Sequence, residues 1–387
     1  MGCPGDRDAL RHVVRLGSRL ARLGLRENQG SSTLRVSRRA VMHRSPAEVL
    51  STHTPALFRA AVERAASLLR AGELVALPTE TVYGLAASAL DARAVARIFE
   101  VKGRPSRNPI IVHVASVAMA KRCVSRWPTV AARLAKAFWP GPLTLVLPRS
   151  AEIPDPVTAG GETVGVRWPR HPVIQAVIRA CGFPLAAPSA NLSTQTSPTS
   201  AQHVLKSLGG SIPLIVDGGR SSVGIESTVL DLTVRPPRIL RPGMIHEESV
   251  LAALPGCEVQ SAEGEGNGRP LGPRISLRSP GQLRKHYAPK AKVRILSWRD
   301  EPHLLSQLPN PKTRGSGVHV IAHTQVPSAR AFRRVGILPH EAAAFARAIY
   351  AELHRCDDEG AELIVVEQLP DGPGWRAIAD RLRRASA

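Results

Sequence analysis

The chain has 387 residues, more than one ordinary domain holds, so two domains are expected. Hydrophobic residues at 43% and charged residues at 21% exclude a mainly disordered protein, and no apolar run reaches the roughly 20 residues that cross a bilayer. The net charge of +21 invites an anionic partner, but only eight of the 52 cations are lysine, and so strong an arginine bias also follows from a GC-rich genome; charge alone does not define a nucleic-acid binder.

Residues 1–41 stand apart. Arg7, Arg11, Arg15, Arg19, Arg22 and Arg26 recur near helical spacing beside Leu16, Leu20 and Leu23. This is either a basic amphipathic targeting helix or, the preferred reading, sequence upstream of a start at Met42; both leave it outside the fold. A regular pattern begins at Pro55. Spacing predicts a helix over 56–71, with Leu57, Ala61, Ala65 and Leu68 on one face and Gly72 past its end. A strand over 74–77 follows, then a helix over 91–102 opened by Asp91 as N-cap. Strands are expected over 110–114, 143–147, 164–168, 185–187, 212–217 and 227–232, with helices over 129–139 and 199–208. The alternation is not strict, so a mixed sheet with helical cover is expected. Residues 256–292 are rich in Gly, Pro, Ser and cations, a linker longer than a compact domain normally tolerates. Beyond it, strands over 293–296, 318–322, 335–338 and 363–367 and helices over 340–355 and 375–385 predict a smaller parallel, Rossmann-like α/β domain without GxGxxG. The cysteines (Cys3, Cys123, Cys181, Cys257, Cys356) form no CxxC pair, so neither a zinc ribbon nor a disulfide framework is expected, and a reducing, cytoplasmic setting is.

Chemistry-bearing residues gather at strand ends. Thr79, Glu80, Thr81 and Tyr83 crowd a turn closed by Gly84. Lys102 and Arg104 flank Gly103 at a helix end, where cations are also favoured for structural reasons. Asn108 and His113 follow, and a lone histidine there is usually structural. Thr163 and Arg167 lie four apart on one strand and face the same way, and an arginine on a core strand needs an anionic partner. Ser189 and Asn191 occupy another strand-end turn, Glu226 and Ser227 begin a strand, and Arg241 ends one. No Walker A sequence or Ser/His/Asp set is present. On these residues alone, a basic groove for a small polyanion is expected, and nothing finer.

PTETVYGL, KGRP, NPIIVHV, GPLTLVLP, TVGVRWPRHP, APSANLS, ESTVLDL and RPG occur in this order, followed by Ser279-Pro280-Gly281 and His286-Tyr287-Ala288-Pro289. Together they resemble the YrdC-like threonylcarbamoyl-AMP synthase family in its two-domain form. The resemblance implies a YrdC-like domain over 55–255 with a twisted mixed sheet and flanking helices, a linker over 256–292 that serves as an active-site lid, and a small domain over 293–387. It implies the reaction of L-threonine, bicarbonate and ATP to L-threonylcarbamoyladenylate and pyrophosphate, with Mg²⁺ on the phosphates. The product would pass to a tRNA threonylcarbamoyl transferase complex; direct tRNA contact is not required, and no membrane is involved. By the same resemblance Thr81, His113, Arg167, Ala187 and Ser227 would hold threonine, Ala187 through its backbone. Arg104, Asn108, Thr163, Ser189, Ser197, Arg241 and Tyr287 would hold ATP, and Lys102 and Arg104 would act on the phosphates as catalytic groups. Asp380, where the family often has Asn, and Trp375 are the departures. A carbamoyl-phosphate-dependent carbamoyltransferase and an RNA-binding module stay open as alternatives.

Overall fold

The computed structural model describes residues 46–261, 279–281, 284–308 and 317–387. The expectations for residues 1–41, and for most of the linker between 262 and 278, lie outside these residues.

The fold begins before Pro55, at β1 (Glu48–Ser51), which pairs in parallel with a strand 166 positions on (Glu48 against Leu214). Helix α1 (Pro55–Arg70) starts where Thr54 accepts the N–H of Leu57 and Pro55 needs no donor. Strands β2 (Val75–Leu77) and β3 (Gly84–Ser88) form an antiparallel pair around the Thr-Glu-Thr turn. Helix α2 (Ala92–Lys102) opens on Asp91, which accepts the N–H groups of Arg93 and Ala94, and closes on Gly103 at φ 57°. There follow β4 (Val112–His113), α3 (Val117–Arg122), α4 (Thr129–Phe138), β5 (Leu143–Pro148), α5 (Asp155–Thr158) and β6 (Thr163–Arg167). Next come α6 (Pro172–Cys181), β7 (Leu185–Ala186), α7 (Ala201–Leu208), β8 (Leu214–Asp217), β9 (Thr228–Asp231), β10 (Arg238–Arg241), α8 (Glu247–Ala253) and β11 (Gln260–Ser261). The strand expected over 110–114 is only two residues long, because the Ile110 N–H leaves the ladder for the Val157 carbonyl.

Among the described residues the eleven strands make one mixed sheet, in the order β1-β8-β2-β3-β7-β4-β6-β5-β9-β10-β11. Both faces are covered. Val75 and Leu77 of β2, with Leu214 and Val216 of β8, pack against Ala61, Ala65 and Leu69 of α1 and Val173 and Val177 of α6. Ala76 and Ile215, one residue out of step, face the opposite core with Ile98, Leu134 and Val204. Burying each such leucine or isoleucine contributes about 1.5–3 kcal/mol relative to exposure.

The second sheet is wholly parallel. It comprises β12 (Lys292–Leu296), β13 (Val318–Ala322), β14 (Arg334–Ile337) and β15 (Leu363–Glu367), in the order β12-β15-β13-β14. Helix α9 (Glu301–Ser306) precedes β13, α10 (Ala342–Asp358) joins β14 to β15, and α11 (Pro373–Ala385) follows β15. One core cluster bridges the two sheets: Val82 and Ile225 of the first part pack with Tyr287, Phe345, Ile349, Tyr350 and Ile378. No helix among the described residues is long and apolar enough to cross a membrane.

Candidate active site

The turn after β2 is folded by a hydroxyl. Thr79 Oγ1 accepts the N–H groups of Thr81 (3.1 Å) and Val82 (3.2 Å) and donates to the Val82 carbonyl (2.6 Å). Tyr83 is anchored elsewhere: its hydroxyl donates to the Gly219 carbonyl at 2.6 Å, and burial raises its pKa. The phenol therefore belongs to the core, and Glu80 and Thr81 are the groups the turn presents.

Arg167, at the end of β6, meets that turn. Its Nη1 donates to Thr81 Oγ1 (2.9 Å), its Nε to the Gly141 carbonyl (3.2 Å), and its Nη2 lies 2.8 Å from Glu80 Oε1. Both side chains of the ion pair are 4% exposed. The contact is not aligned as a hydrogen bond, so Nη2 and both Glu80 oxygens keep unused bonding capacity. His113 stands opposite Arg167 in the β4–β6 register. Burial, with Arg167 adding to it, lowers its pKa to about 3, which leaves a neutral imidazole whose Nδ1 has no hydrogen-bond partner.

A second cationic group faces this one. Gly103 in the left-handed conformation turns the chain so that Arg104 points inward, where Nε and Nη2 donate to the carbonyls of Asn108 (3.1 Å) and Pro109 (2.7 Å). Among the described residues no carboxylate pairs with Arg104, and burial, with Arg241 adding to it, lowers its pKa to about 9. Arg241 at the end of β10 donates from Nε to the Ser227 carbonyl and from Nη2 to Ser227 Oγ, both at 3.1 Å. Ser227 Oγ also meets Thr144 Oγ1 at 2.8 Å.

Thr81, His113, Arg167, Ala187, Ser227, Arg104, Ser189, Arg241 and Tyr287 all line one cleft. Thr163 lines a smaller adjoining cleft that shares Ile110, Ile111 and Pro280 with it. Three residues sit behind the wall. Lys102 donates to the carbonyls of Ser189 (2.6 Å) and Asn191, so its ammonium braces the 187–191 loop; burial and then Arg104 push its pKa well below the ordinary value. Ser197 donates to Glu226 at 2.5 Å, and Asn108 is buried with both amide atoms unpartnered.

The linker closes one side. Tyr287 is buried at φ 62°, a conformation that costs a non-glycine residue about 1–3 kcal/mol. It is held between an edge-on His286 ring (4.0 Å) and the Arg381 guanidinium (5.1 Å), while the next residue, Ala288, donates to the Thr194 carbonyl. Gly281 is required here: any Cβ would come 2.6 Å from the Tyr287 hydroxyl. Burial lowers the His286 pKa to about 3. Three arginines, two neutral imidazoles and two carboxylates that are both already paired make this a site for an anionic ligand. Sequence reasoning left Glu80, Glu226 and His286 without roles. Their motifs were visible, but their partners lie far away in sequence. No cluster of three or more His, Cys, Asp or Glu among the described residues could hold a metal ion.

Two family models account for most of the chain. The Sua5/YciO/YrdC model, described as telomere recombination, matches residues 67–243, and the model of the threonylcarbamoyl-AMP synthase C-terminal domain matches residues 245–387. A threonylcarbamoyl-AMP synthase from Pyrococcus abyssi is 41% identical over 328 residues, covering 83% of this chain and 93% of the relative. One from Bacillus subtilis is 40% identical over 340 residues, covering 87% and 94%. The crystal structure of P. abyssi Sua5 complexed with L-threonine superposes with a TM-score of 0.78 at 38% identity, covering 88% of this chain and 98% of that one.

Proposed function

The chain belongs to the threonylcarbamoyl-AMP synthase family, and from that premise we propose how its cleft divides the substrates. The enzyme is a nucleotidyltransferase that makes L-threonylcarbamoyladenylate from L-threonine and ATP, for threonylcarbamoyladenosine in tRNA. L-threonine lies against Arg167, whose Nη2 takes the carboxylate, with the Thr81 and Ser227 hydroxyls, neutral His113 and the Ala187 backbone around it. ATP lies against Arg104, Arg241, Ser189 and Tyr287. Thr163 borders the nucleotide from the adjoining cleft, while Asn108, Ser197 and Lys102 support this wall from behind. Mg²⁺ would be carried in by ATP and would offset phosphate charge, since no cluster of three or more His, Cys, Asp or Glu among the described residues could hold it.

Bicarbonate releases hydroxide to give CO₂, the threonine amine attacks its carbon, and the proton the amine loses converts that hydroxide to water, leaving a carbamate. A carbamate oxygen then attacks the α-phosphorus, and the bond to the bridging oxygen breaks as pyrophosphate leaves. Arg104 and Arg241 neutralise charge that develops on the phosphates. The buried Tyr287 segment keeps water from the carbamate and the mixed anhydride. A product of that lability needs a transferase complex to receive it, in the compartment that holds tRNA.

The observation that supports this reading is that the threonine-side and nucleotide-side residues line one cleft. Pyrophosphate release from ATP and bicarbonate is expected to depend on L-threonine. Release at the same rate without threonine would refute it.

A further inference from the structure

Glu226 lines the cleft beside Arg241, yet its carboxylate is not given to Arg241. Both oxygens are taken from other directions. Oε1 accepts from Ser197 (2.5 Å), and Oε2 accepts from Tyr350 of α10 (3.1 Å) and from Arg381 Nε of α11 (2.8 Å). Arg381 is itself 1% exposed and fully engaged. Its Nη1 meets Asp380 at 2.7 Å, its Nη2 donates to the Pro242 carbonyl at 2.9 Å, and its face covers the Tyr287 ring. Asp380, the departure noted in the sequence, also pairs with Arg384, and the Arg384 carbonyl accepts the N–H of His286. Thus one turn of α11 grips Glu226, the 241–243 segment and the linker together.

We propose that Arg381 is a positioning residue for adenylate formation: by holding Glu226 from behind, it keeps Arg241 free to face the nucleotide's phosphates. A buried carboxylate cannot stay charged without a counter-ion. Arg381 is its ion-pair partner, and Arg241 is the next cation whose field reaches it; burial alone would raise the Glu226 pKa, and these two arginines reverse the shift. With Arg381 gone, Glu226 recruits Arg241, and the cleft loses a phosphate ligand and gains a carboxylate where the triphosphate should lie. The second domain then contributes to catalysis without touching substrate. The inference rests on the assignment of Arg241 to the phosphates.

The test is steady-state kinetics on the full chain. Arg381→Met is expected to raise KM for ATP about tenfold or more while KM for threonine changes less than about twofold. In Arg381→Met/Glu226→Gln no charge remains to capture Arg241, and KM for ATP is expected to return most of the way. Arg381→Lys keeps the counter-charge and is expected to stay near the parent, which carries the test if the methionine variant does not fold. A parent-like KM for ATP in Arg381→Met, a double variant no better than the single, or an Arg381→Lys as impaired as Arg241→Ala would each overturn the proposal. Arg241→Ala separates the two levels: if it binds ATP as the parent does, the phosphate assignment itself fails.

Discussion

Arg167 and Glu80 show how a buried charge can be kept ready for a ligand. The pair is close enough to neutralise itself but misaligned, so Nη2 can turn to a carboxylate without leaving Glu80 uncompensated. Arg167→Ala is expected to raise KM for threonine about ten- to a hundredfold, the worth of a charge-assisted contact, with little change for ATP. It should also lower stability by about 3–5 kcal/mol, because Glu80 is then a lone buried carboxylate. Adding Glu80→Gln should recover part of that stability but none of the threonine affinity. Urea unfolding and kinetics on the same proteins read the two effects apart. The need of Arg167 for an anion was legible in the sequence, since its strand is apolar. The identity of the partner was not, because the Thr81 turn stands 86 positions away and nothing periodic links them.

Elements were legible where apolar spacing contrasts with a polar face. Helix α2 with its Asp91 cap is one case. Helix α6 carries the same signal, with Val173, Ile174, Val177, Ile178 and Cys181 recurring at helical spacing and buried together, yet it is absent from the expected elements although the pattern is there. Strand β3 was missed because Gly-Leu-Ala-Ala-Ser has little strand propensity; its neighbours β2 and β7 impose the conformation. Two contacts between elements make predictions. Gly224, at φ 89°, lies so close to α10 that a Cβ would stand 2.4 Å from the Arg347 Cα. Gly224→Ala should cost about 1–3 kcal/mol by strain and overpacking, seen as a lower melting temperature. The His203 ring of α7 stacks at 3.9 Å on His354 of α10. Burial first, then His354, lowers the His203 pKa from 6.5 to about 3, with Lys206 and Arg220 adding and Asp358 opposing. Burial lowers His354 as well, against the pull of the Ser197 carbonyl and of Asp357 and Asp358. The unfolded chain therefore takes up these protons first as the pH falls. The stability contributed by keeping His203 neutral is full above about 6.5 and is lost progressively toward about 3. Urea midpoints near neutrality and near pH 5 should differ, and His203→Gln should shrink the difference.

The whole molecule was legible as two α/β parts, the first mixed and the second parallel. How deeply they interlock was not, since that depends on side chains that meet across the linker. The cores on the two faces of the first sheet use residues between Ala47 and Val259 alone. Deletion of residues 279–387 is therefore expected to leave a folded first part with Val82, Val223 and Ile225 uncovered and activity close to background. Full pyrophosphate release by that fragment would contradict the role given to Tyr287. The order of synthesis adds a consequence. Arg381 lies 155 positions after Glu226, so a ribosome working at about 5–20 residues per second delivers it on the order of ten seconds later. During that interval the nascent chain carries its substrate residues but not the counter-ion that arranges them. Full affinity for ATP is therefore expected only once translation has brought out helix α11.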